Sequence, residues 1–182
     1  LGSVVLGPGC APTPVALQYQ IAEQEARSTK LSGMTLGVVP FKDSRTDRFL
    51  YRKNLILADG EDAGVWIANA LKLELEHAGA LVTPLESSTT PSTGTYITGQ
   101  VALLQSRATG WGLGGILAAL IGTGYAPHIS LSVQVYEEGV PILGRQYDLQ
   151  ENIPSNPGYV LMFARPPARR DVPVAFGVVL KK

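Results

Sequence analysis

A chain of 182 residues with 15 basic and 15 acidic side chains has no net charge to attract nucleic acid and no basic block suited to an anionic membrane surface. With 45% apolar and only 16% charged residues it lies far from the disordered class and is long enough to bury a core without disulfides or metal. One cysteine and two histidines exclude an internal disulfide and a cysteine-based zinc cluster, and leave little for metal or general-base chemistry.

The chain opens on Leu1 rather than Met, as expected of a processed or partial sequence. Leu1 to Gly9 is small and apolar and runs into Cys10, and "APTPVA" follows as a Pro-containing tether. This resembles the end of a bacterial lipoprotein signal peptide, where a small residue, here Gly9, precedes the cysteine that becomes lipidated. Gly7 stands where such peptides usually carry Leu, with Leu6 one place further out. The resemblance implies a lipidated Cys10 and a membrane as partner. Ala11, rather than Asp, after the cysteine implies the periplasmic face of the outer membrane. Residues 1–14 are therefore set apart as signal remnant, Cys10 and tether, and 15–182 are expected to form a single domain.

Val15 to Ala22 alternates Val15, Leu17, Tyr19 and Ile21 against polar or small residues, a period-two strand with one polar face. Met34 to Phe41 is a continuous apolar run, expected as a central strand buried on both faces. "KDSRTDRFLYRKN" reads as a charged, self-paired surface loop; weak surface pairs outweigh a metal or phosphate site there, and Asp43 suits a turn. Asp59 to Gly79 is the clearest helix. Asp59 is expected at its N-cap with Asp62 in the capping-box position. Gly64, Ile67, Ala68, Leu71, Leu75 and Ala78 form its apolar stripe, with Trp66 packing under the charged loop. His77 complements the helix dipole, and Gly79 closes the end.

A short strand "ALVTPLE" follows, then a breaker-rich loop. Three half-polar strands come next: 96–106 with Ile97, Val101 and Leu103 on one face, 129–136, and 142–151 with Leu143, Tyr147 and Leu149 together. Such strands form an antiparallel sheet covered on one side. Gly158 to Phe163 and Asp171 to Leu180 are expected as short helices, the latter with Val172, Phe176 and Val179 inward. The expected fold is α+β: a mixed, mostly antiparallel sheet with helices on one face.

"LSGMTLGVVPFKDSRTD", the helix ending "LELEHAGALVTP", "YITGQVALLQS" and "ISLSVQVYEEGVPILGRQYD" together resemble the YajG-like lipoproteins of Gram-negative bacteria. More distantly, they are similar to the α+β domain of the curli secretion lipoprotein. The likeness rests on a Val-rich strand ending in a D-x-R loop, here Asp43 and Arg45, and spans roughly residues 15–151. It implies an envelope lipoprotein without catalytic residues.

Residues 108–127 carry no charge and form an apolar Gly-rich insertion. Gly110, Gly112 and Gly115 match G-x-G-x-x-G, but only Ile116 to Ile121 is available as a crossover helix, and the next strands are half-polar, so a dinucleotide site is disfavoured. The length suits a membrane span, yet the glycines dilute the hydropathy. Two readings remain open: a buried lid on the sheet, or an apolar contact surface made by Trp111, Leu113, Ile116, Leu117, Leu120 and Ile121. No nucleophile is spaced for a base and no G-x-S-x-G elbow occurs. The expectation is a non-enzymatic envelope lipoprotein in an assembly or support role, with a protein partner or self-association, no cofactor, no metal and no nucleic acid. The alternative is an accessory subunit of an envelope transport system that binds lipid or a small ligand.

Overall fold

The computed structural model describes residues 11–17, 19, 29–51, 55–86, 93–109, 124–150 and 153–154. Their ten strands join in one mixed sheet, with one helix against it. The α+β class and the half-covered sheet expected from the residues are both present.

The spine is β7 (Thr95–Thr109). On one side β8 (Gly124–Glu137) pairs with it antiparallel from Thr95↔Glu137 to Thr109↔Gly124. β9 (Val140–Gln150) then pairs antiparallel with β8, and β10 (Ile153–Pro154) resumes that pairing opposite Tyr125 and Gly124. Glu138 and Gly139 join β8 to β9 with φ of 50° and 77°. Two left-handed residues match the strand twist in a two-residue hairpin turn.

On its other side β7 meets three short segments in succession, all parallel to it: β2 (Thr35–Val38), β3 (Lys42–Asp43) and β4 (Phe49–Tyr51). Gly37 lies opposite Tyr96, Lys42 opposite Gln100 and Tyr51 opposite Ser106. They amount to one strand interrupted twice. Pro40 has no N–H to give, but Val39 N donates to Ile97 O before it and Ser44 N to Val101 O after it, so the register survives the break. β6 (Leu81–Pro84) flanks β2 in parallel; β5 (Leu55–Leu57) flanks β4 antiparallel, and β1 (Thr13–Val15) runs parallel to β5.

The helix α1 (Ala63–His77) lies on one face of the sheet. Its N-cap is Asp62, whose Oδ1 accepts from Gly64 N and Val65 N at 2.7 and 3.1 Å. It ends in a Schellman closure: Ala80 N donates to Leu75 O and Gly79 N to Glu76 O, with Gly79 at φ 95°. Phe41 N donates to Gly64 O, which fixes the first helical turn over the sheet. Ile67 and Ala68 of the helix meet Val38, Phe41, Leu50, Leu55, Ile97, Val101, Leu104, Ile129 and Leu131 in one apolar core. The opposite face carries Thr98, Gln100, Ser130, Ser132, Gln134 and Gln146, and the half-polar strands are explained.

Several expectations are corrected. The strand expected over 15–22 is β1, Thr13–Val15; Leu17 is buried beyond it, and Gln18 and 20–22 lie outside the described residues. Thr13 and Pro14, expected as tether, belong to that strand. The N-cap is Asp62, not Asp59: residues 58–61 form a turn first, with Glu61 N donating to Ala58 O. The central strand keeps only Thr35–Val38 of the expected 34–41 because Pro40 breaks it. In β7 the inward residue is Leu104, fully buried, rather than the half-buried Leu103. Val101 pairs with Leu131 and Leu103 with Ser130, so Ala102 is an extra residue and reverses the alternation after it. The charged loop hides β3 and β4, and β5 follows directly after it; all three are too short to register as a period. The helices expected at 158–163 and 171–180 lie outside the described residues.

Candidate functional site

Cys10 and all six residues of the expected contact surface, Trp111, Leu113, Ile116, Leu117, Leu120 and Ile121, lie outside the described residues. The sheet nevertheless fixes where the chain enters and leaves around them. β7 reaches Thr109 and β8 begins at Gly124 directly opposite. Residues 110–123 therefore connect two antiparallel neighbours at the end of the sheet where β7 finishes. This excludes the dinucleotide reading of Gly110, Gly112 and Gly115, which needs a crossover to a parallel strand. No helix among the described residues is long and apolar enough to cross a membrane.

The pairing register carries this level across to the N-terminus. Ser106 faces Tyr51, Tyr51 faces Leu55, and Leu55 faces Thr13. β7 and β4 run toward this end, whereas β5 and β1 run away from it. The chain thus enters β1 from the end of the sheet at which 110–123 connect. Three strand spacings separate β1 from β7, about 14 Å. Three peptide units separate Cys10 from Thr13, a reach of at most ~11 Å. The sequence gives no hint of this neighbourhood, because it depends on β4 and β5.

The D-x-R loop is the second candidate. Asp43 accepts from Arg45 N at 3.2 Å, Nε at 2.9 Å and Nη2 at 2.8 Å, and from Arg48 Nη1 at 2.5 Å. The loop was expected to be solvated, and its self-pairing is present, but its centre is buried: the Arg45 and Asp43 side chains are 2% and 4% exposed. Burial raises the Asp43 carboxyl, but the Arg45 hydrogen bonds and the nearby Arg45 and Arg48 charges outweigh it and hold the group below its usual value. Asp43 lies next to Ser44, whose amide joins β7, so the cluster closes the break between β3 and β4. It is a structural clamp.

Elsewhere, His128 Nε2 meets Asp148 Oδ1 at 2.5 Å on the polar face, tying β8 to β9. His77 stands in the last turn of α1 as expected. Trp66 packs against the core. Among the described residues no three His, Cys, Asp or Glu side chains gather as a metal site.

No family model matches this chain, and no curated protein matches it. Among solved structures, protein XCC0632 from Xanthomonas campestris, described with the family model DUF330, aligns with a TM-score of 0.56 at 11% identity, over 92% of this chain and 88% of that one. That likeness shows the fold. Lipoprotein GNA1162 from Neisseria meningitidis aligns at 0.41 and 14% identity, over 70% of this chain and 90% of that one. A Helicobacter pylori homologue of neuraminyllactose-binding hemagglutinin aligns at 0.46 and 11% identity, over 92% and 90%. The latter two superpositions are too loose to carry an argument.

Proposed function

We propose that this chain is a non-enzymatic lipoprotein of the bacterial envelope, held at the periplasmic face of the outer membrane by a lipidated Cys10. In this reading Trp111, Leu113, Ile116, Leu117, Leu120 and Ile121 form an apolar contact surface beside the anchor, and the protein assembles or supports an envelope complex. One observation carries the reading: the chain enters β1 near Cys10 at the same end of the sheet at which residues 110–123 connect β7 to β8. An acyl anchor and an uncharged segment at one end share one apolar surroundings. One acyl chain binds a bilayer marginally and a multiply acylated cysteine stably; in either case an apolar contact beside the anchor adds retention.

The test is expression of the chain behind a lipoprotein signal peptide in a Gram-negative host, followed by fractionation and mass spectrometry of Cys10. An acylated Cys10 in the outer-membrane fraction, with Cys10→Ser released, is the expected result. An unmodified Cys10 on a soluble protein overturns the reading. Leu113→Asp and Leu117→Asp together are expected to weaken vesicle binding of the acylated protein by about tenfold, roughly 1.4 kcal/mol. Unchanged binding removes the contact surface from the proposal and leaves the anchor.

A further inference from the structure

Among the described residues five strands pair on one side only; β3 and β10 are two residues long, and the other three are not alike. β1 is three residues long with Pro14 at its middle; β6 is four residues long and ends in Pro84. Short length and proline are the usual means of blunting an edge. β9 is eleven residues long, pairs only with β8, and has its one proline, Pro141, near its start. It carries no lysine. Every residue from Val140 to Asp148 is exposed, including Ile142 at 56%, Leu143 at 47% and Tyr147 at 39%.

We propose that β9 is a self-pairing edge: two chains not attached to a membrane join β9 to β9, antiparallel, about a two-fold axis at Gln146. The constraint comes from symmetry. Directly opposed residues of antiparallel strands point to the same face, and a two-fold axis normal to the sheet keeps each residue on its own face. The axis must therefore pass through a residue, which opposes itself. An axis at Arg145 or at Asp148 sets like charges against each other, which destabilises a pair. An axis at Gln146 opposes Leu143 to Leu149 twice, Arg145 to Tyr147 twice, and Gly144 to Asp148 twice. Leu143, Arg145, Tyr147 and Leu149 share the helix-side face, because they oppose Val135, Val133, Leu131 and Ile129. This register gives two aliphatic pairs and two guanidinium–phenol pairs. Axes at Gly144 or Tyr147 lose both kinds.

The same geometry controls when the edge is open, a consequence that rests on the anchored reading above. A two-fold axis normal to the sheet points the β1 entry ends of the two copies in opposite directions. Copies anchored in one bilayer point the same way and cannot adopt this pairing. Membrane attachment thereby keeps β9 free of its own kind.

The experiment uses the full chain with Cys10→Ser, so that an introduced cysteine is the only thiol. Opposed residues at the axis have Cα atoms about 4.5–5.5 Å apart, within disulfide range. Two copies of residue 148 are about 13 Å apart along the strands, outside it. Gln146→Cys is expected to oxidise to a covalent dimer at least ~10-fold more than Asp148→Cys or Gly144→Cys alone. A mixture of the last two is expected to give the hetero-linked dimer. Equal cross-linking at all positions, or a monomer by light scattering with no preference for Gln146→Cys, overturns the proposal whatever becomes of Cys10. The second arm uses the acylated Gln146→Cys chain, with acylation verified by mass spectrometry. It is expected to cross-link in detergent and not in dilute vesicles; equal cross-linking in both overturns the orientation argument alone.

Discussion

Gly64 lies against the carbonyl of Phe41 so closely that a Cβ on Gly64 would fall 1.6 Å from that oxygen. Phe41 in turn needs Gly99, where a Cβ would sit 2.6 Å from the ring. The helix start, the kink after Pro40 and the middle of β7 are thus seated on one another without spare volume. Gly64→Ala must push α1 off the sheet, and about 3 kcal/mol of stability is expected to go, read as a lower urea midpoint with unchanged slope. A helix interior otherwise gains from Gly→Ala, so the sign itself tests the contact.

Asp43 and Arg45 form a buried pair, and removal of either partner strands the other. Asp43→Ala is expected to cost about 3–5 kcal/mol, far more than Arg48→Ala, whose side chain is 63% exposed. The carboxyl is held below its usual value when folded, so its contribution is fully present above the unfolded carboxylate pKa. It is lost as pH falls through the lower, folded one. Thermal unfolding from pH 7 down to pH 2 is expected to show an acid-side loss that Asp43→Asn lacks.

The helix cap distinguishes two aspartates. Asp62→Ala removes the acceptor for Gly64 N and Val65 N and is expected to cost about 1 kcal/mol. Asp59→Ala, on an exposed turn residue, is expected to stay within about 0.5 kcal/mol. Parallel denaturation curves decide between them.

The bulge at Ala102 makes a similar distinction. Leu104→Ala opens a cavity in the core and is expected to cost about 2–5 kcal/mol. Leu103→Ala is expected to cost less than half as much, as the side chain lies on the polar face and is only half-buried. Reversal of that order would remove the bulge from the account.

These comparisons also show what could be read from the residues. α1 and the β7–β8–β9 meander were legible because their periods run long enough to average over single exceptions. Gly79 was legible because only a left-handed residue closes that helix. The bulge was not, since one inserted residue leaves no local mark beyond a change of phase. β3, β4 and β5 were hidden among charged neighbours: Arg45 looks like a solvated side chain until Asp43 is seen to neutralise it in the interior. That the chain enters β1 at the end of the sheet where β7 finishes follows from pairings between residues about 40–55 apart, which no window along the chain contains.

The interrupted companion of β7 has a further consequence, for the order in which the chain can fold. Gly37 waits for Tyr96 and Tyr51 for Ser106, partners made roughly 55–60 residues later. Loop closure of that length has to precede any reward from the parallel pairing, which slows folding. The first half of the chain holds Leu50 and Leu55, both destined for full burial, yet has no spine to lay them on until β7 emerges. A chain delivered in order from its N-terminus therefore exposes these leucines until β7, just past the midpoint, arrives. The meander is the template for β2, β3 and β4, whereas β6 on β2, and β5 with β1 on β4, have their partners before it exists.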